Sequence, residues 1–350
     1  MESRRARSST TAGHTRGGRS SPTRTGPTLT FLGAVNWDTT IFEKEFAPPG
    51  AEVPVLRIEE GPGGKGANAA VAAAKLLGKG KVAFIGAAGA DRFGRALRQS
   101  LKDAGVSADG LLTLKGSRTG TAHVVVDGSG SKTIHTHFGA NDCLAPGHLD
   151  APAARRALSS SVAVAVMDVP VRTAEAAAGL ARDSDARLVY SPGVRCGAGL
   201  HALSGVLSAA RDAVFDRSEL MKLQPSDDPA KSVLSLLRLF PSLTVVATLG
   251  PSGSLVGRGG SVVLVPPANL SALGLKPVNS TGSGDAFLAA YVCYSESGME
   301  PEDAAYWGNL AGALKAADPR TRGSPSRQSL EASMAVLRRR RLGSLPNRAS

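Results

Sequence analysis

Two glycine-rich turns, each feeding an apolar, helix-favouring run, constrain this chain more than any other feature. The first, Gly61-Pro62-Gly63-Gly64-Lys65-Gly66-Ala67-Asn68, precedes residues 69–77, a run of Ala, Val, Lys and Leu that reads as a buried helix. The second, Asn279-Ser280-Thr281-Gly282-Ser283-Gly284-Asp285-Ala286-Phe287, leads into Ala289, Ala290, Tyr291 and Val292. Such a turn points unpaired backbone N–H groups, and the positive end of the helix dipole, at one spot that suits a phosphate in transfer. Asp285 adds a carboxylate at the helix start, where an incoming hydroxyl can lose its proton. Taken alone, Gly-Ser-Gly-Asp is also what an ordinary capped helix start looks like. Gly61, Gly63 and Gly66 match G-x-G-x-x-G, but Arg57-Ile58-Glu59-Glu60 before them make a poor buried strand. Nor does an acidic residue stand about 20 positions on to hold a ribose, and no G-x-x-x-x-G-K-[ST] occurs in the chain.

Around these turns, apolar strands alternate with helical runs. Residues 29–35 form a compact apolar strand, and 41–58, with Pro and Glu interleaved, read as exposed, irregular strands. Strands follow at 81–85, 162–167, 187–190, 213–215 and 243–248, with helices at 93–102 and 173–182. This alternation calls for crossover connections and an α/β fold: a central, mostly parallel sheet with helices on both faces. Residues 119–126 and 131–138 flank Asp127-Gly128-Ser129-Gly130 and read as a hairpin that, with 41–58, suits a small β-sheet lid. Helices at 300–316 and 328–340 close a domain expected over 28–340, with tails at 1–27 and 341–350.

The chain has 350 residues, 42% of them hydrophobic, which is a globular composition. Its net charge of +12 invites a nucleic-acid reading, but residues 1–27 carry +5 and 319–350 carry +7, so the body between is near neutral. Charge confined to the ends is the mark of solvated tails, and nucleic acid is not an expected partner. Residues 1–27 are rich in Arg and Ser and poor in acids, which fits a transit peptide and a plain disordered tail equally. No apolar stretch approaches the ~20 residues that span a bilayer, and no signal-peptide core opens the chain, so a protein of the cytoplasm or an organelle is expected, with no membrane partner. Cys143, Cys196 and Cys293 are odd in number and lack a C-x-x-C, as reduced intracellular thiols would.

At both turns the chain resembles the PfkB carbohydrate kinases, and most closely their ribokinase branch. Residues 63–68 followed by Ala-Ala-Val-Ala-Ala look like the family's first signature, and 281–287 like its second. Three stretches fall in the same order around them: Phe31-Leu32-Gly33-Ala34-Val35-Asn36-Trp37-Asp38, His137-Phe138-Gly139-Ala140-Asn141 and Thr248-Leu249-Gly250. The resemblance covers roughly residues 28–340 and implies a ribokinase-like fold. It also implies ATP-dependent phosphorylation of a primary hydroxyl of a sugar, with ribose to ribose 5-phosphate the first expectation. A kinase for another sugar or a nucleoside, or a catalytically weak kinase-like scaffold, are the alternatives. By the same resemblance Asp285 is the base, and the backbone N–H groups of Gly282, Ser283 and Gly284 receive the transferring phosphoryl group.

Asn36 and Asp38 directly follow the first strand, and an amide and a carboxylate two residues apart can face one hydroxyl-rich ligand, although they also suit a plain turn. The resemblance places them with Gly64, Lys65, Asn68, Asp168 and Asp285 around the sugar. It places Asp216, Glu219, Thr248, Gly250, Gly253, Gly282, Gly284 and Asn309 at the nucleotide. Mg2+ accompanies ATP, organised through water by Glu219, and K+ is implied at Asn279, Thr281 and Ser326. A homodimer through the lid is a further implication. Three exchanges depart from the family pattern. Asp168 stands where ribokinases carry Glu, Asp216 replaces the Asn of Asn-x-x-Glu, and Asn279 replaces an Asp, which weakens the K+ site. Asp216-Arg217-Ser218-Glu219 before an apolar run is also a plain capping arrangement. His135 and His137 alternate on one strand face and are too few for zinc. Trp37 and Trp307 read as packing groups, although Trp37 lies near enough to Asn36 and Asp38 to flank a sugar.

Overall fold

The computed structural model describes residues 28–129 and 131–343. The tail and transit-peptide expectations for 1–27, and the end of the chain beyond 343, lie outside them. The chain opens with β1 (Leu29–Gly33), then β2 (Asn36–Phe42), β3 (Arg57–Gly63) and α1 (Lys65–Leu77). β4 (Val82–Gly89), α2 (Arg92–Asp103), β5 (Ser107–Leu114), β6 (Gly120–Val126) and β7 (Lys132–His137) follow. Next come α3 (Pro152–Ser160), β8 (Ala163–Met167), α4 (Val171–Asp183), β9 (Arg187–Ser191), α5 (Leu200–Ala209) and β10 (Asp212–Asp216). Then α6 (Arg217–Leu223), α7 (Pro229–Leu239), β11 (Thr244–Thr248), β12 (Ser254–Arg258) and β13 (Ser261–Val265) precede the closing helices. These are α8 (Ser283–Glu296), α9 (Pro301–Ala316) and α10 (Arg327–Gly343).

Nine strands form the main sheet in the order β13-β12-β11-β10-β9-β8-β1-β4-β5. All neighbours from β11 to β5 are parallel, and β12 runs antiparallel to both β11 and β13. β1, β4 and β8 are buried along their whole length, because a parallel strand covered on both faces needs apolar side chains on both. One layer of helices, α1, α8, α9 and α10, packs on one face, and α3, α4, α5, α6 and α7 pack on the other. The order reverses between β1 and β8, so a crevice opens there beyond the carboxyl ends of the strands, where ligands of open α/β sheets bind.

The second sheet, β3-β2-β6-β7, is the lid. Its strands reach further than the sequence suggests: Asn36 and Asp38 sit within β2 itself, paired with Gly63 and Gly61 of β3, rather than in a loop after β1. β6 and β7 form the expected antiparallel hairpin. Strand alternation puts Asn36 and Asp38 on one face of β2 and Trp37 on the other, where its ring stacks on Phe93 of α2 at 5.3 Å. Trp37 therefore packs the lid against the body, as expected of a packing group, and its ring is turned away from Asn36 and Asp38.

Candidate active site

A cleft of about 520 Å³ lies between the lid and the carboxyl edge of the main sheet, and Asn36, Asp38, Lys65, Asp168, Glu219 and Asp285 all line it. A depression of similar size opens at the amino edge around Arg187 and Glu296 and contains neither glycine turn.

The second glycine turn delivers α8 to the cleft floor. Gly282 occupies the cap position with φ 84°, a left-handed conformation in which a Cβ would be strained and would also meet the Thr321 carbonyl oxygen at 2.6 Å. Gly282 and Gly284 line the cleft, in the part of a helix start whose amides lack intrahelical acceptors. Ser283 differs from expectation: its N–H donates to the Ser280 carbonyl at 3.1 Å, and its side-chain oxygen is buried beside the turn. Asp285, in the first turn of α8, is buried, and its Oδ2 accepts a hydrogen bond from Asn68 Nδ2 at 2.9 Å. Burial raises the Asp285 pKa, and the Asn68 hydrogen bond and the charges of Lys65 and Arg322 partly offset this.

The first glycine turn brings Asn68 and Lys65 to the same place. Gly66 packs so tightly on β1 that a Cβ on it would stand 2.5 Å from the Gly33 Cα, so only glycine lets α1 start against the end of that strand. Burial disfavours the Lys65 ammonium, but Glu219, whose Oε1 it reaches at 2.7 Å, raises its pKa above the usual range. Burial also pushes Asp38 up to about 7, opposed by Arg322 and reinforced by Asp285. Asp168, just past β8, takes a left-handed backbone with φ 56°, a strained conformation that Asp tolerates better than most residues. Burial raises it to about 6 against the pull of Lys65 and of Arg195, whose Nε lies 3.6 Å from Asp168 Oδ1. Asp38 Oδ1 and Asp168 Oδ1 are buried without a hydrogen bond. Two such acceptors in one cleft suit a ligand rich in hydroxyl donors.

Of the residues expected at a nucleotide, Asp216, Glu219 and Thr248, with Gly282 and Gly284, line the cleft. Asp216 and Glu219 also form the capping box anticipated for this stretch: Glu219 N–H donates to Asp216 Oδ1 at 2.8 Å, and Asp216 N–H to Glu219 Oε2 at 3.0 Å. Gly250, Gly253 and Asn309 do not line the cleft; Asn309 Nδ2 instead donates to the carbonyls of Val265 and Pro266 at the end of β13. Asn279 and Ser326 also lie outside the lining, whereas Thr281 is part of it. His135 and His137 are exposed on β7, whose Lys132, Ile134 and Thr136 point the other way, into the cleft. Among the described residues no cluster of three metal-ligating side chains occurs.

Four functional neighbours escaped the sequence reading. Arg322 donates from Nε to Asn68 Oδ1 at 2.9 Å and from a terminal nitrogen to the Gly63 carbonyl at 3.2 Å; burial lowers its pKa to about 10. Asn141 donates to Asn36 Oδ1 at 2.9 Å and bonds both the N–H and the C=O of Val35, which fixes the junction of β1 and β2. Lys132 reaches from the lid to Ser280 Oγ at 3.4 Å. Lys315, fully buried at the end of α9, donates to the carbonyls of Asn279 and Asp318. Asn141 lay within a quoted motif and was recognisable by its amide; Arg322 and Lys132 stand in polar stretches with no local signal, whereas Lys315 is a lone charge in the apolar run Leu310-Ala311-Gly312-Ala313-Leu314-Lys315-Ala316, a usable sign of a buried cation.

A family model described as pfkB family carbohydrate kinase matches residues 27–327. A ribokinase of Haemophilus influenzae is 27% identical over 307 residues, covering 86% of this chain and 96% of that protein. An ATP-dependent ribose-1-phosphate kinase of Halopiger xanaduensis is 26% identical over 302 residues, covering 86% of this chain and 95% of that protein. Among solved structures, an Arabidopsis thaliana ribokinase complexed with ribose and ATP superposes with a TM-score of 0.75 at 22% identity, over 89% of this chain and 99% of that one. The ribokinase-like fold expected from the sequence is the fold observed.

Proposed function

Because the chain belongs to the pfkB family of carbohydrate kinases, and is thus a phosphotransferase acting on a sugar hydroxyl, we propose that its substrate is ribose and its product ribose 5-phosphate. The observation that carries this reading is the pair of unbonded carboxylate oxygens, Asp38 Oδ1 and Asp168 Oδ1, in the cleft that also holds Asp285 and the second glycine turn. Asn36, Asp38, Asn68 and Asp168 bind and orient the sugar hydroxyls, leaving the primary hydroxyl at Asp285. Asp285 takes that proton as the hydroxyl oxygen attacks the γ-phosphorus of ATP, and the bond to the β-phosphate oxygen breaks. The amides of Gly282 and Gly284 receive the charge on the transferring group, with that of Ser283 committed to Ser280. Lys65 lies between the two substrates, held by Glu219.

The donor set fits Mg2+ held through water. Both Glu219 oxygens already accept hydrogen bonds, from Lys65 and from the Asp216 N–H, which fixes the carboxylate at the cleft edge. When bound with ATP, the ion neutralises phosphate charge. Asp216 adds a second carboxylate there. The lid exposes Val55, Leu56 and Ile58, apolar material for the homodimer contact we assign to it.

A phosphorylated pentose is the second reading, favoured by the additional cations Lys132 and Lys222 on the cleft wall. An ADP-release assay across pentoses, hexoses, nucleosides and ribose 1-phosphate decides between them. Ribose is expected to give the highest kcat/KM, and the product should carry phosphate on its primary carbon. A tenfold preference for ribose 1-phosphate, or no turnover on any sugar, overturns the reading.

A further inference from the structure

Directly behind the phosphate-facing turn the protein holds a positive charge of its own. Lys315 is fully buried, and its Nζ donates to the carbonyl of Asn279 at 2.9 Å and to that of Asp318 at 3.2 Å. The first carbonyl opens the 279–285 turn, and the second opens the loop between α9 and α10. Its Cε lies 3.6 Å from where a Gly282 Cβ would stand, so the stem runs beneath the residue that caps α8.

A monovalent cation is implied in this region, at Asn279, Thr281 and Ser326, but the residues present do not fit one. Asn279 Oδ1 is taken by the Thr281 N–H at 2.9 Å, and Asn279 Nδ2 presents N–H groups, one of them donating to the Pro319 carbonyl at 2.7 Å. Ser326 Oγ accepts the Ser329 N–H at 3.2 Å at the start of α10. The Asn279 and Asp318 carbonyls serve an ammonium. A second monocation here would be repelled by that charge, and position 279 offers no carboxylate to offset the repulsion.

We propose that the Lys315 ammonium is the built-in monovalent cation of this turn, a positioning residue that ties the turn to the 317–323 loop and makes phosphoryl transfer independent of K+. It touches neither sugar nor nucleotide and acts by holding Gly282 and Gly284 in register. The inference rests on the kinase reading above, and the test separates the two: turnover of any sugar establishes the kinase, and the response to cations then tests Lys315.

At neutral pH and constant ionic strength set with tetramethylammonium chloride, KCl is expected to change the wild-type kcat by less than about twofold. The melting temperature, read without substrate, is expected to be the same in K+ and in tetramethylammonium. Lys315→Ala is expected to lose at least about tenfold in kcat with the sugar KM little changed, and to recover in ammonium, methylammonium or K+ salts to which the wild type is indifferent. Lys315→Met keeps the volume without the charge and guards against an unfolded alanine variant; it is expected to show the same loss without recovery. Strong K+ activation or K+-specific thermal stabilisation of the wild type overturns the proposal. So does undiminished kcat in either folded variant, or an alanine variant that no cation restores.

Discussion

Asp285 has the three attributes a general base needs here: a carboxylate raised by burial, a fixed orientation on Asn68, and a helix start beside it. Asp285→Asn keeps the shape and removes the basicity, so kcat is expected to fall by roughly 10²–10⁴-fold while ATP binding, read by calorimetry, stays nearly unchanged. Asp38 makes a different point. Its pKa rises from 3.8 unfolded to about 7 folded, chiefly because burial penalises the charge. The folded state therefore binds its proton more tightly than the unfolded state, and the stability linked to Asp38 is present at low pH and lost as pH rises from about 4 through about 7. Asp168, at about 6, acts in the same sense over a narrower window. Asp38→Asn is expected to melt higher than the wild type at pH 8, by roughly 2–4 °C, with the difference vanishing near pH 4, and to lose kcat/KM for the sugar. Melting curves across that range check it; a variant less stable at pH 8 contradicts it.

At the level of elements, the position of α1 depends on two glycines facing each other. Gly66→Ala places a methyl against the Gly33 backbone, which cannot yield as a side-chain tip would. We expect a loss of roughly 1–3 kcal/mol in denaturant unfolding, and a raised sugar KM because Asn68 moves with the helix. The parallel strands and the helices between them were legible because strands covered on both faces read as unbroken apolar runs, as in the all-buried Ala163–Met167. β5, with Asp109 and Gly110 inside it, and the β12–β13 hairpin at Gly259-Gly260 were missed, the first for its mixed pattern and the second although its Gly-Gly turn was a usable signal. Helices α3, α5 and α7 also went unassigned. At the site, the glycine turns and Asp285 stood out as a local pattern. Arg322 did not, because its role comes from a separation of 254 residues to Asn68, which no window of sequence displays. Asn36 and Asp38 line the cleft but were assigned to a loop, since a two-residue spacing suits a turn as well as a strand face.

Taken whole, the molecule is a rigid sheet with a smaller sheet set over its carboxyl edge, joined through the Asn141 clamp and touched from above by Lys132. Among the described residues no helix is long and apolar enough to cross a membrane. A sugar bound as proposed would supply donors to Asp38 Oδ1 and Asp168 Oδ1, and so would relieve the native state of a burden that the unfolded chain does not bear. A sugar at 100 times its dissociation constant is expected to add about 2.7 kcal/mol to the unfolding free energy, seen as a rise in melting temperature that shrinks in Asp38→Asn. On the proposed reading, those two unbonded oxygens would couple the protein's lifetime to its substrate: with sugar scarce a larger fraction of molecules would be open to degradation, and with sugar plentiful the folded protein would persist, so that abundance would follow supply without any change in synthesis.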